Sequence, residues 1–149
     1  MTKLDEIMRP DFVVAVPAHA SIHEATSAMI DRNVGMVAVL DGERLVGLLS
    51  ERDVVRRVVG AGRDPATTAV SEVMTTEIVT ASPETLYSDA IGLMDGANIR
   101  HLPIVHDGRL LSMLSIRDLL RVELRHKGEE IRYLHEYMFP GQGAPAGRP

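Results

Sequence analysis

The feature that most constrains this chain is an internal repeat. Gly47-Leu48-Leu49-Ser50-Glu51-Arg52-Asp53 returns 65 residues later as Ser112-Met113-Leu114-Ser115-Ile116-Arg117-Asp118. Around it, Pro17/Pro83, Ala25/Ala90, Met29/Met94, Asn33/Asn98 and Leu45/Leu110 recur at a spacing of 65 or 66. A repeat of that length in a chain of 149 residues means two similar supersecondary units, and the fold must be made by packing one on the other.

Each unit carries the same succession of local signals. Short amphipathic turns are expected at residues 4–8 and 70–74, followed by β-branched runs at 12–17 and 78–83. Each run is one short strand, closed by a proline that cannot continue a ladder. Ser21-Ile22-His23-Glu24 is a capping box, and the helix it opens sets Ile22, Ala25, Met29 and Ile30 on one face before Asn33, a residue that tolerates the left-handed conformation of a helix end. In the second unit Thr85 is the expected cap, with Leu86, Ala90 and Met94 as the face and Asn98 at the end; Gly96 weakens this helix by about 1 kcal/mol relative to alanine.

Next come hairpins. Strands 36–40 and 102–105 turn through Asp41-Gly42 and Asp107-Gly108 and return along 45–49 and 110–114, straight into helices that begin at Ser50 and Ser115. The fold class is therefore α/β, two β-α-β-β-α repeats. Residues 1–69 form the first, with its leading helix and a linker at 60–66; residues 70–138 form the second, with an extended last helix; 139–149 are a disordered tail. The last helix crosses Gly128 and places Leu124, Ile131 and Met138 at heptad spacing, which suits both a cover for the chain's own core and a self-association surface.

Composition narrows the function. At 45% apolar and 3% aromatic residues, the core is aliphatic and offers few platforms for stacking single-stranded nucleic acid. The net charge is −5, with arginines interspersed among acids, so no basic stripe suits a nucleic-acid backbone and none is expected as a partner. The absence of cysteine removes disulfides and thiolate chemistry. With no signal-peptide run and no apolar stretch long enough to span a bilayer, a cytoplasmic protein with no membrane partner is expected.

The repeated motif has a chemistry of its own. A serine at a helix N-terminus can donate its hydroxyl to a phosphate, and the backbone N–H groups of Glu51 and Arg52 add partial positive charge in the same direction. An ionised aspartate one turn on is an acceptor alone and suits a ribose diol. Ser-x-x-Asp is equally a capping box, in which the two side chains satisfy each other's backbone. The residues by themselves leave both readings open. Catalysis finds little support: there is no Ser/His/Asp arrangement, P-loop or metal-spaced cluster. His19 and His23 read as a surface pair, and His126 and His135 as solvated.

Gly-apolar-x-Ser/Thr-x-x-Asp, complete in residues 47–53 and repeated in a matching unit, resembles the signature of a tandem pair of cystathionine-β-synthase-type (CBS) domains. The resemblance covers residues 7–137. It implies domains packed sheet to sheet about a pseudo-two-fold axis, with two clefts that take adenosine ligands such as AMP, ADP, ATP, NAD or S-adenosylmethionine and regulate a partner protein. It also implies a homodimer. Carried over, Ser50 and Ser115 are phosphate contacts, Asp53 and Asp118 ribose contacts, and Gly47 lets a ligand approach the backbone. Arg100 and His101, on the strand entry that continues to Pro103, supply counter-charge where the first unit has Gly35 and Met36. Val14, Val16, Ile78 and Thr80 line the adenine. The expectation is a non-enzymatic sensor with no metal and two unequal clefts, since Ser112 stands where Gly47 stood. The alternative is an interaction scaffold whose clefts hold no nucleotide.

Overall fold

The computed structural model describes residues 1–9 and 13–141. After a 3-10 turn at Leu4–Glu6, strand β1 (Ala15–Pro17) leads to α1 (Ile22–Arg32), β2 (Met36–Asp41), β3 (Arg44–Ser50) and α2 (Glu51–Asp53), which continues as a π-helical run over Val54–Val59. The second unit follows as α3 (Val70–Val73), α4 (Tyr87–Ala97), β4 (His101–His106), β5 (Arg109–Ser115) and the 23-residue α5 (Ile116–Met138). Strand order is β1-β2-β3-β5-β4, with β1 parallel to β2 and the remaining neighbours antiparallel. β3 and β5 pair at Arg44 and Arg109, beside the hairpin tips, so each unit keeps its own small sheet and the two join at one corner.

The repeat extends to fine geometry. Both hairpins carry a register shift at the same place, Val39/Leu40 and Ile104/Val105. Both first helices end on an asparagine at φ +52°, and Gly42, Asp107 and Gly108 take the positive φ that the tight turns require. α1 is closed by its capping box: Glu24 N–H donates to Ser21 Oγ at 3.1 Å, and Ser21 N–H donates to Glu24 Oε2 at 2.9 Å.

Several expectations need correction or fall outside the described residues. The strand at 78–83 is reduced to one bridge, Ala81 with Ile104. In the first unit Ala38 N–H donates to the Val14 carbonyl; the counterpart of Ala38 is Pro103, which has no N–H to offer the Val79 carbonyl, so the ladder cannot extend. Ile30 is 73% exposed, because it sits one residue, about 100°, around the helix from the buried Met29. Thr85 does not cap α4, which starts at Tyr87 behind Leu86; its Oγ1 accepts from Ser82 N–H, and the Tyr87 N–H is satisfied by the Thr2 carbonyl at 2.9 Å. Phe12 and the tail from 142 onward lie outside the described residues; α5 itself runs unbroken across Gly128 to Met138.

The two cores are completed by exchange. Val16, Ile22, Ala25, Met29, Val37, Val39, Leu49 and Val58 form the first, and Val70 and Val73 of α3 close it. The second contains Ala90, Met94, Leu102, Ile104, Leu114 and Leu119, and is closed by Leu4 with Ile7 and Met8 packed beside it. Each leading turn thus buries its apolar side in the other unit's core; a fully buried leucine such as Leu4 contributes about 1.5–3 kcal/mol. Backbone bonds fix both exchanges: Leu4 N–H to Thr85 O and Asp5 N–H to Pro83 O on one side, Val70 N–H to Ala20 O and Ser71 N–H to Ala18 O on the other.

Gly47 is explained by the same exchange. A Cβ there would lie 2.4 Å from Met74 Sδ and 2.9 Å from its Cγ, so the missing side chain is the space Met74 occupies. In the second unit the corresponding Ser112 is fully buried, and its hydroxyl donates to the Arg9 carbonyl at 3.1 Å. Gly47→Ala should cost about 1–3 kcal/mol in denaturant unfolding, and adding Met74→Ala should recover part of the overpacking cost. Equal stability of Gly47→Ala and the parent would show that the Met74 contact is not tight.

Candidate functional site

Each hairpin delivers its second strand directly into a helix, and the junction lies against the residue that follows the other unit's leading turn. At the first junction Ser50 is extended, at φ −104° and ψ 163°, which turns its Oγ back over the first turn of α2. Asp53 N–H donates to Ser50 Oγ at 3.1 Å, and Ser50 N–H donates to Asp53 Oδ2 at 3.0 Å. The Thr75 hydroxyl reaches both oxygens of the same carboxylate at 3.3 Å, while the Leu48 and Thr75 amides exchange hydrogen bonds with each other's carbonyls. Arg57 Nε lies 3.8 Å from Asp53 Oδ1, and its Nη1 donates to the Val73 carbonyl at 3.0 Å. Asp53 therefore sits 12% exposed, between its own helix and the segment after α3.

The second junction repeats the cap with different surroundings. Ser115 N–H and Oγ donate to Asp118 Oδ2 at 2.9 and 3.0 Å, and Asp118 N–H donates to Ser115 Oγ at 3.3 Å. The Asp118 side chain is 25% exposed, with Arg121 Nη1 at 3.8 Å. It opens on a cavity of about 380 Å³ whose other walls, among the described residues, are Ile7, Arg9, Arg121, Val122, Leu124 and Arg125. Arg9 occupies the position that Thr75 holds in the first unit.

The remaining sequence-derived candidates divide by unit. Met36 pairs with Ser50, and the Gly35 carbonyl accepts from Glu51 N–H at 3.0 Å. A Cβ on Gly35 would come within 3.2 Å of Glu51 Oε2, so the first junction has a carboxylate where the second has Arg100. His101 is opposite Ser115 in the β4–β5 register; burial pushes its pKa down, Asp118 opposes that shift, and Arg100 adds to it, so the ring favours its neutral form near pH 7. Arg100 is exposed, its carbonyl accepting from Ile116 N–H. Pro103 is buried in β4, and its carbonyl accepts from Ala81 N–H. Val16 is inside the first core with Val14 at its edge; Ile78 is half-buried and Thr80 exposed on the extended run before Ala81.

The structure thus brings Ser50, Asp53 and Met36 together, and Ser115, Asp118 and His101. It also places three arginines that the motif does not announce, Arg9, Arg121 and Arg125, on the cavity wall next to Asp118. For two of them the signal in the sequence is helical spacing: Arg121 and Arg125 follow Asp118 at i+3 and i+7. Among the described residues no group of three or more His, Asp or Glu is placed to hold a metal ion.

Comparison with known proteins bears on this geometry. The CBS domain model matches residues 4–60 and 70–125, so both Ser-x-x-Asp junctions fall inside matched segments. The chain is 40% identical over 107 residues to the CBS domain-containing protein YhcV of Bacillus subtilis, covering 72% of this chain and 76% of that one. It is 35% identical over 126 residues to the mitochondrial CBS domain-containing protein CBSX3 of Arabidopsis thaliana, covering 81% of this chain but 61% of the relative's length. The solved structure of CBSX2 in complex with AMP superposes with a TM-score of 0.73 at 23% identity, covering 85% of this chain and 99% of that one, a likeness of fold alone. With two matched units, each ending in the same hairpin-to-helix junction, the chain belongs to the CBS domain family as a tandem pair.

Proposed function

We propose that this protein is a non-enzymatic regulatory module that binds an adenine nucleotide, of the AMP, ADP, ATP or NAD type, at its Ser-x-x-Asp junctions and passes the binding event to a partner protein. The observation that carries the reading is that each junction aspartate faces a segment belonging to the other unit: Thr75 for Asp53, and Arg9 across the cavity from Asp118. A ligand there touches both halves and can bias how they sit against each other, which is what a sensor requires. That CBSX2, a protein of the same fold, is known in complex with AMP supports the ligand class.

A second reading, a scaffold with no nucleotide, is favoured by one feature: both serine and aspartate side chains are already satisfied as capping boxes. A thermal-shift panel with AMP, ADP, ATP, NAD and S-adenosylmethionine separates the two. Ligand at about 100 times its dissociation constant adds roughly 2.7 kcal/mol; no shift with any of them would favour the scaffold. Asp53→Ala should remove binding at the first junction and lower stability by about 0.5–2 kcal/mol through the weakened cap. Retained stoichiometry would show that Asp53 does not hold the ligand.

We also propose that the module is a homodimer. Beyond the residues that cover the second core, α5 exposes Leu120, Leu124, Ile131, Leu134 and Met138 at spacings that follow one stripe along the helix, interrupted by Lys127. On the first unit Ile30, Val55 and Val59 are exposed as well. Truncation after Arg125 should shift sedimentation towards the monomer, and an unchanged dimer mass would place the interface elsewhere.

A further inference from the structure

We propose that the cavity at the start of α5 selects ligands with more than one phosphate, holding the phosphate chain with Arg121, Arg125 and Arg9 while Asp118 accepts from hydroxyl groups at the ligand's other end. The inference rests on the nucleotide reading above and adds which nucleotides the second junction takes.

The cavity's charge is the first support. Among the described residues, three guanidinium groups and one carboxylate line about 380 Å³, a size within the usual range for small-molecule sites of about 300–1,000 Å³. Arg121 and Arg125, both exposed, can together reach an anion larger than a single phosphate, and guanidinium groups meet phosphate oxygens with paired, charge-assisted hydrogen bonds. Helix geometry is the second. Asp118, Arg121 and Arg125 lie on one face of α5, and seven residues at about 1.5 Å each place Arg125 roughly 10 Å along the axis from Asp118. The site is therefore elongated, with an acceptor at one end and donors spread along it. Arg121 Nη1 is 3.8 Å from Asp118 Oδ1, a loose surface ion pair that gives way readily to a phosphate.

The first junction lacks this set. The positions corresponding to Arg121, Arg125 and Arg9 are Arg56, Gly60 and Thr75, and Arg57 is drawn to Asp53 and the Val73 carbonyl. Discrimination by phosphate number belongs to the second junction alone.

Calorimetric titration of the full chain, without divalent cations, tests this with adenosine, AMP, ADP, ATP and inorganic pyrophosphate. Asp53→Ala isolates the second junction, and Arg121→Gln with Arg125→Gln removes two of its cations at exposed positions. On the Asp53→Ala background ADP and ATP should bind at least about tenfold more tightly than AMP. The double arginine substitution should erase that preference and flatten the salt dependence. Equal affinities for AMP, ADP and ATP, or a preference that survives the double substitution, would overturn the inference and leave the nucleotide reading standing. Pyrophosphate binding that the arginine substitutions abolish, with no binding of any adenosine compound, would keep the anion site and overturn the nucleotide reading. No binding of any of the five overturns both.

Discussion

The structure depends on the crossing of two short leading turns. Leu4 fills the core of the second unit, and Val70 and Val73 that of the first, so neither half closes its own core. The joint between β3 and β5 is one register pair at the hairpin tips, with two backbone hydrogen bonds and the Arg109–Glu43 ion pair, and by itself is too small to hold the units in one arrangement. The crossed turns can, because each combines buried aliphatic side chains with backbone hydrogen bonds to the opposite unit. Gly47 belongs to that device: its bare Cα admits Met74, which follows directly from the turn that caps the first core.

The position of the candidate site is a consequence. A chain segment that leaves a crossed turn passes the other unit's hairpin-to-helix junction, so Thr75 arrives at Asp53 and Arg9 arrives beside Asp118. Because the two segments differ in sequence, a pair of nearly identical junctions becomes a pair of unlike surroundings. The first is compact, with its carboxylate held by Thr75 and approached by Arg57. The second is open, with three arginines on its cavity wall among the described residues. Duplication supplied the scaffold, and the crossing segments differentiated it.

Much of this was legible in the sequence, and what was not has definite causes. The 65-residue repeat gave the unit count, the hairpins, the asparagine helix ends and both Ser-x-x-Asp caps, all of which are set by local backbone chemistry. The missing strand before Ala81 turns on a hydrogen bond that Pro103, more than 20 residues away, cannot donate. Ile30 and Thr85 were each misplaced by one residue of helical phase or start. The crossing itself leaves no local trace, since a turn that packs on its own unit and one that packs on its neighbour have the same amphipathic pattern. For the same reason the motif revealed Asp118 but not Arg9, which reaches it only through the fold.

The central claim is that each ligand site is shared between one unit's junction and the other unit's crossing segment. Amide hydrogen exchange with and without a bound adenine nucleotide tests it most directly. The paired amides of Leu48 and Thr75 should gain protection together with those of Ser50 and Asp53 when the first site fills, and the segment around Met8 and Arg9 together with Ser115 and Asp118 when the second does. Nucleotide binding that protects residues of one unit only, leaving both crossing segments unchanged, would contradict the account.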